Sequence, residues 1–407
     1  MTVFARICFE VNCCNCIIIF ALALNLVKHC SACGNTFTSA FAEIIYDGVY
    51  TSGRYDGCVN DHRIERFILH TPTKQILKGT FLNLHKLFEI GFNDCGVSVI
   101  EPGFAENLTT IRIFKAERDY LQVIEHNVFN TLPLELIDVS ANRISYIEDY
   151  AFEGMDLKYL CLSGNKLSSI NSTWFRNTKI LALAITHNEI RSLDDDTFSG
   201  LIELVTLKLN FNKIISISPN AFLNIKCCLT KVYLPGNSIV YLDFKTPNEL
   251  VEMDVGFNQI SSIPLEDTTT LRKISIHPNP WSCGCLTQFK KECEKKNIEI
   301  KDTYALKEPT TGVNPICVAL NITCTNIRVD AQKLRDIYFS LIDYNAFGNY
   351  PPSNLKCAPH QCIQQIATLV QYGIAKTHWR RQPILLITSV VKYNVNYLGS
   401  AEDSQRV

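Results

Sequence analysis

LELIDVSANRI (Leu134–Ile144), LKYLCLSGNKL (Leu157–Leu167), ILALAITHNEI (Ile180–Ile190) and LVTLKLNFNKI (Leu204–Ile214) are four copies of one phrase. LTKVYLPGNSI (Leu229–Ile239) and LVEMDVGFNQI (Leu250–Ile260) continue it, and LRKISIHPN (Leu271–Asn279) is a shortened last copy. Apolar residues stand at positions 1, 4, 6 and 11, and Asn at position 9. The Asn residues are Asn142, Asn165, Asn188, Asn212, Asn237, Asn258 and Asn279, spaced 23, 23, 24, 25, 21 and 21 apart. Side chains alternate along a strand, so positions 3 to 7 read as a short strand with 4 and 6 facing in and 3, 5 and 7 facing out. The Asn carries two donors and an acceptor on a short arm. At the turn leaving the strand it would satisfy backbone groups that otherwise stay buried and unpaired, at about 1–3 kcal/mol each. The Asn ladder is therefore read as structural.

The period falls in the range of leucine-rich repeats. One unit cannot bury its own apolar face, but stacked units can, and each buried Leu or Ile stabilises by roughly 1.5–3 kcal/mol. A second ladder agrees. Phe81, Phe104, Phe129, Phe152, Phe175, Phe198 and Phe222 recur at spacings of 23, 25, 23, 23, 23 and 24. They match the convex-side aromatic of the longer, extracellular repeat class. Working backward, FEIGFND (Phe88–Asp94) reads as a degenerate unit with Asn93 on the ladder. LTTIRIFKA (Leu108–Ala116) reads as another, with Ala116 in place of Asn, and IERFIL (Ile64–Leu69) as the first strand. The expected fold is an α/β solenoid, a leucine-rich repeat horseshoe of about ten repeats over residues 64–279 with a parallel concave β-sheet.

The 407 residues carry a net charge of −1 and are 47% hydrophobic, enough for a sizeable core. That balance argues against a nucleic-acid protein, which needs a basic stripe. Residues 1–32 read as a signal peptide: Arg6 precedes the apolar run Ile17–Val27, and small residues at 30–32 place cleavage near Ala32. Glu10 and Cys8, Cys13, Cys14 and Cys16 are unusual there, and a signal anchor is the alternative. Residues 33–63 read as an N-terminal cap closed by Cys33–Cys58, with Cys30 replacing Cys33 if cleavage falls earlier. Sequons at Asn107, Asn171 and Asn321 and the paired cysteines agree on a secreted, extracellular address. Residues 326–407 are a tail, partly helical, with a helix expected over Val329–Ile342 and helical spacing again over Gln361–Ala375. Pro383–Val391 is too short to span a membrane, so no span is expected beyond the signal segment.

After the last repeat the chain reads NPWSCGC (Asn279–Cys285), with further cysteines at Cys317 and Cys324. This resembles the cysteine-rich C-terminal flank of extracellular leucine-rich proteins such as Slit, Toll-type ectodomains and connectin-like adhesion proteins. The resemblance implies a disulfide-bonded C-terminal cap over 280–325, with pairs Cys283–Cys317 and Cys285–Cys324 and Trp281 plugging the core. Cys293 has no place in that pattern. To about Cys324 the chain also resembles secreted insect-type proteins of the mosquito leucine-rich immune family. Many of those add a long coiled coil, which this chain lacks. The resemblance implies innate-immune recognition.

No catalytic motif is present, and no enzyme, cofactor or metal is expected. Cys357 and Cys362 read as cysteines that form a disulfide or pair between chains rather than as metal ligands together with His360, and Asp194–Asp196 as a solvated turn. The outward strand positions are where binding is expected. Tyr159, Lys208, Lys231, Tyr233, Glu252 and Asp254 are the candidates, because Tyr amid charges is a usual protein-binding composition. The partner expected is an extracellular protein or a microbial surface ligand. An adhesion or guidance ligand in development and a structural matrix component are the alternatives. Thirteen cysteines follow Ala32, and Cys161 points outward, which suggests a disulfide-linked homo- or heterodimer.

Overall fold

A computed structural model describes residues 36–225, 228–242, 247–265, 269–301, 317–318, 324 and 327–341. The signal-like segment, Cys33, Asn321 and the tail beyond 341 lie outside the described residues. Among the described residues, thirteen strands form one sheet. They are β1 (Phe37–Tyr46), β2 (Val49–Gly57), β3 (Ile64–Leu69), β4 (Glu89–Asn93), β5 (Ile113–Glu117), β6 (Leu136–Asp138) and β7 (Tyr159–Cys161). Then come β8 (Ala182–Ala184), β9 (Thr206–Lys208), β10 (Lys231–Tyr233), β11 (Glu252–Asp254), β12 (Lys273–Ser275) and β13 (Glu299–Ile300). From β3 onward neighbours in sequence are neighbours in the sheet, all parallel and in register: Leu136 lies beside Tyr159, Tyr159 beside Ala182, and so on to Lys273 beside Glu299. This is a leucine-rich-repeat solenoid of about ten turns.

The inward position 4 is filled by Ile137, Leu160, Leu183, Leu207, Val232, Met253 and Ile274, none more than 2% exposed. On the opposite side of the core the Phe ladder is fully buried. Its rings meet at 6.4 Å for Phe81–Phe104, Phe104–Phe129 and Phe129–Phe152, and at 5.7 Å for Phe198–Phe222.

The Asn ladder ties each turn to the one before. Asn142 Oδ1 accepts the Leu121 amide at 3.0 Å, and its Nδ2 donates to the carbonyls of Ala116 at 2.6 Å and Val139 at 3.0 Å. The other six Asn residues repeat this. Each accepts from the position-11 amide of the preceding repeat and donates to that repeat's position-6 carbonyl.

Two early rungs differ from the sequence reading. The sheet register puts Glu89 at position 3, so position 9 is Cys95 and not Asn93. Cys95 Sγ donates to Leu69 O at 3.2 Å and sits 3.5 Å from Asn93 O, replacing the amide with a weak donor. Burial, with the nearby Asp119 charge, pushes this thiol up to about 12. In the next repeat position 9 is Asp119 and not Ala116, because Ile113 takes position 3. Asp119 Oδ1 accepts the amides of Cys95 at 2.9 Å and Val97 at 3.0 Å, while Oδ2 is buried without a partner. Burial raises its carboxyl to about 6 against the pull of those amides.

The ends are closed differently. At the N-terminal end β1 pairs antiparallel with both β2 and β3. Asp47 and Gly48 join β1 to β2, both with positive φ (46° and 76°), the geometry of a two-residue hairpin turn. The Asp-Gly pair is a readable hairpin signal that the disulfide-loop reading of residues 33–63 passes over. Phe37, Tyr55 and Phe81 pack round Phe67 at 5.2–5.8 Å and cap the core. Cys58 is disulfide-bonded.

At the other end, helix α1 (Cys283–Lys295) starts at Ser282, whose hydroxyl accepts the Cys285 amide at 3.2 Å. Trp281, 1% exposed, packs on Phe289 at 5.1 Å over the last turn. The disulfides Cys283–Cys317 and Cys285–Cys324 are formed. Cys293 is a free thiol buried on the inner side of α1, which is why it needs no place in the cysteine pattern. Helix α2 (Ile327–Leu341) follows, burying Leu334 and Tyr338 with Val318.

Two substitutions test the ladder. Asn188→Ala removes the acceptor for Leu167 N and the donor to Leu162 O and should cost roughly 1–3 kcal/mol in denaturant unfolding. Asp119→Asn should do the reverse at neutral pH, by about 1–2 kcal/mol, because it removes a buried charge and restores a donor. The sign follows from linkage. Asp119 binds its proton more tightly folded than unfolded, so its contribution falls as pH rises from about 4 to about 6. The advantage of the Asp119→Asn variant in unfolding curves should therefore shrink below about pH 5.

Candidate binding face of the sheet

The outward positions 3 and 5 form two rows across the strands. Over β9, β10 and β11 the register sets Thr206, Lys231 and Glu252 side by side in one row and Lys208, Tyr233 and Asp254 in the other. Four of the six predicted residues, Lys208, Lys231, Tyr233 and Glu252, are thus brought together, each half-buried. Asp254 belongs to the same group but is 5% exposed, and its Oδ1 is turned to the Gly256 amide at 3.0 Å. Tyr159 stands apart on β7, two strands from β9, and is 7% exposed. Burial and the neighbouring Glu135 push its hydroxyl to about 12.

The group is wired together. Lys208 Nζ lies 5.5 Å from the Tyr233 ring centroid, in cation–π range. The Tyr233 hydroxyl donates to Glu252, and Glu252 Oε1 also takes Lys301 Nζ at 3.0 Å. Burial pushes Glu252 up, but Lys301, Lys231 and the phenol outweigh it, and its carboxyl stays below the ordinary range. Burial, helped by Lys231, lowers Lys208 to about 8. Sequence reasoning missed Lys301. Its signal was the alternation Ile298-Glu299-Ile300-Lys301, which reads as one more strand and forms β13.

The first half of the face is of another kind. Arg66 Nε and Lys115 Nζ hold the Glu89 carboxylate at 2.9 and 2.8 Å, with Glu89 3% exposed at its side chain. Glu117, Asp138 and Cys161 are buried beside this cluster. Cys161 is disulfide-bonded within the chain, so it does not offer the outward thiol on which the sequence reading of a disulfide-linked dimer leaned. Burial, then the Asp138 charge, holds the Glu117 carboxyl far above the carboxylate range.

On the far side of the core the sequons Asn107 and Asn171 are exposed. Asn171 caps the short 3-10 helix Ser172–Phe175, accepting from Thr173 N at 3.0 Å. Asp195 and Asp196 are bonded to Ser218, Asn220 and Asn224 of the next repeat, a stitched turn. Among the described residues no group of acids, His and Cys could hold a metal, and no helix is long and apolar enough to cross a membrane.

This fold and face define a leucine-rich-repeat scaffold, and comparison with known proteins agrees. The model of the BspA type leucine rich repeat region matches in six copies, over residues 54–165 and 122–246. No curated protein matches the sequence. The chain is similar to the crystal structure of the mouse RP105/MD-1 complex, with a TM-score of 0.51 and 22% identity, covering 56% of this chain and 40% of the matched one. A weaker likeness is to the TLR13–ssRNA13 complex, with a TM-score of 0.40 and 20% identity, covering 47% and 32%. The chain thus spans less than half the length of either.

Glu117 binds its proton more tightly folded than unfolded, so stability should fall as pH rises from about 5 to about 8. Glu117→Gln should flatten that fall in denaturant midpoints taken across the range. An unchanged slope would mean that Glu117 is already ionised in the folded protein.

Proposed function

We propose that the chain is a secreted binding protein of innate immunity that takes a protein partner, or a microbial surface ligand, on the outward face of β9 to β12. The observation that carries this is the wired group Lys208, Lys231, Tyr233 and Glu252. Lys208, Tyr233 and Glu252 are half-exposed and already held, so they have little rotamer freedom left to lose on binding, and Lys231 adds a charge beside them. An amphipathic aromatic among fixed charges is the composition of binding hot spots. Extracellular work is supported by the two disulfides of the C-terminal cap and by the exposed sequons at Asn107 and Asn171. The mouse RP105 likeness is to a chain solved in complex with MD-1, which fits a scaffold that works by holding a partner. The immune assignment rests on the resemblance to the mosquito family.

The test is capture from extracellular fluid, before and after microbial challenge, by the wild-type protein and by Tyr233→Ala. The variant should stay folded and lose about 1–3 kcal/mol, because the side chain lies outside the core and its removal takes away one hydrogen bond to a carboxylate and one cation–π contact. It should lose the captured partner. Retention of the same partner would remove the face from the binding site.

A further inference from the structure

We infer that the groove beside Asn107 is the seat of an N-linked glycan, whose first two sugars pack on its walls once Asn107 is glycosylated. This rests on the extracellular address proposed above.

The first argument is position. Asn107, Leu108 and Thr109, the whole sequon, line a groove of about 830 Å³ on the far side of the core from the binding face. Pockets of roughly 300–1,000 Å³ hold drug-sized ligands, and two N-acetylglucosamine units are of that size. The groove has a cause in the repeat. Phe104 stands seven residues before Ile111, position 1 of the next strand phrase, whereas Phe129, Phe152 and Phe175 stand five before Leu134, Leu157 and Ile180. The two extra residues lengthen the connection that carries the sequon, and within it Asn107 takes a φ of 58°. The two-stranded ladder of Phe81–Leu82 and Ala105–Glu106 also ends here.

The second argument is that the walls are fixed. Arg112 Nη1 donates to the carbonyls of Thr109 at 3.2 Å and Pro133 at 3.4 Å, so one guanidinium ties two sides of the groove together. Asn107 Nδ2 donates to Asn83 Oδ1 at 2.9 Å. The amide nitrogen has two hydrogens and a glycan replaces one, so the sugar and the Asn83 bond can share it.

The third argument is chemistry. The exposed rings of Pro102 and Pro133 offer apolar surface to the C–H face of a pyranose. Glu106, Asn127 and Thr131 offer donors and acceptors to its hydroxyl and acetamido groups. Asn171 differs. Its Oδ1 accepts from Thr173 N and its Nδ2 donates to Asp149 Oδ1. The smaller groove near it, about 380 Å³, is lined by Ser172 and Thr173 but not by Asn171 itself. The sugar is added as at any sequon. Nδ2 attacks C1 of the N-acetylglucosamine on a lipid-pyrophosphate donor, the C1–O bond breaks, the pyrophosphate leaves with the electron pair, and the amide gives up one proton.

The experiment uses the full chain secreted from cultured insect cells. The native protein is treated with a peptide N-glycosidase in 18O-water and mapped by mass spectrometry, so that each released site reads as a labelled Asp. Asn107 should be occupied. The enzyme reaches a seated sugar only while it is out of the groove, so release at Asn107 should be about tenfold slower than at Asn171. In Pro102→Ser/Pro133→Ser, release at Asn107 should rise by about fivefold while circular dichroism and the Asn171 rate stay unchanged. Thr131→Ala and Glu106→Ala, each at an exposed side chain, should give smaller rises and keep the test open if the double variant does not fold. An unoccupied Asn107 on a secreted chain overturns the inference and leaves the extracellular address standing. Release at Asn107 as fast as at Asn171, or unmoved by every groove variant that folds, also overturns it. A chain that is not secreted and carries no sugar at any sequon removes the address, and the inference with it.

Discussion

The structure depends on one constraint: parallel strands three residues long cannot satisfy the backbone at the turns that leave them. Each turn buries amides and carbonyls where water cannot follow, and unpaired groups there cost more than any single apolar contact returns. The Asn at position 9 answers this with one acceptor aimed at the preceding turn and two donors spread over both turns. Burial of Leu and Phe supplies the driving force for stacking, but the Asn fixes its pitch and register. The parallel rows of outward side chains follow from that register, and so does the juxtaposition of Lys208, Tyr233 and Asp254.

The turn has a backbone cost as well. Position 8 takes a left-handed φ in repeat after repeat, including Ala141 at 54°, His187 at 54°, Phe211 at 55° and Phe257 at 51°. Only Gly164 and Gly236 take it without strain. Gly236 has a second reason to be glycine, since a Cβ there would lie 2.3 Å from the Phe211 ring. Bulky residues persist in this conformation because the hydrogen bonds on both sides over-determine it.

Much of this was legible in the sequence because the repeat is redundant. Seven copies of one phrase fix the strand, the inward residues and the turn, and a misreading of one copy is corrected by the others. The early copies lack that protection. Counting from the wrong apolar residue puts Asn93 and Ala116 on the ladder, and only the sheet register shows that Cys95 and Asp119 stand there. The hairpin at Asp47-Gly48 follows local turn chemistry rather than the repeat, so the periodicity is silent about it. The face was half legible. Alternation told which residues point outward, but not that Tyr159 would be buried or that Lys301 would come from beyond the last repeat to hold Glu252.

The ladder is not chemically uniform along its length, and that has a mechanical meaning. A solenoid is nearly one-dimensional, so each interface carries only the cooperativity its own bonds provide. From Asn142 onward every joint is made by a neutral amide that both gives and receives. The joints at Cys95 and Asp119 are made by a thiol, a poor donor, and by a carboxylate with an oxygen left unmatched. The backbone compensates at these joints: β3 pairs with β4 over four residues and β4 with β5 over five, where the strands from β6 to β12 pair over three. Longer strands at the near end and amide rungs further along thus do the same work, holding successive turns together, by different bonds.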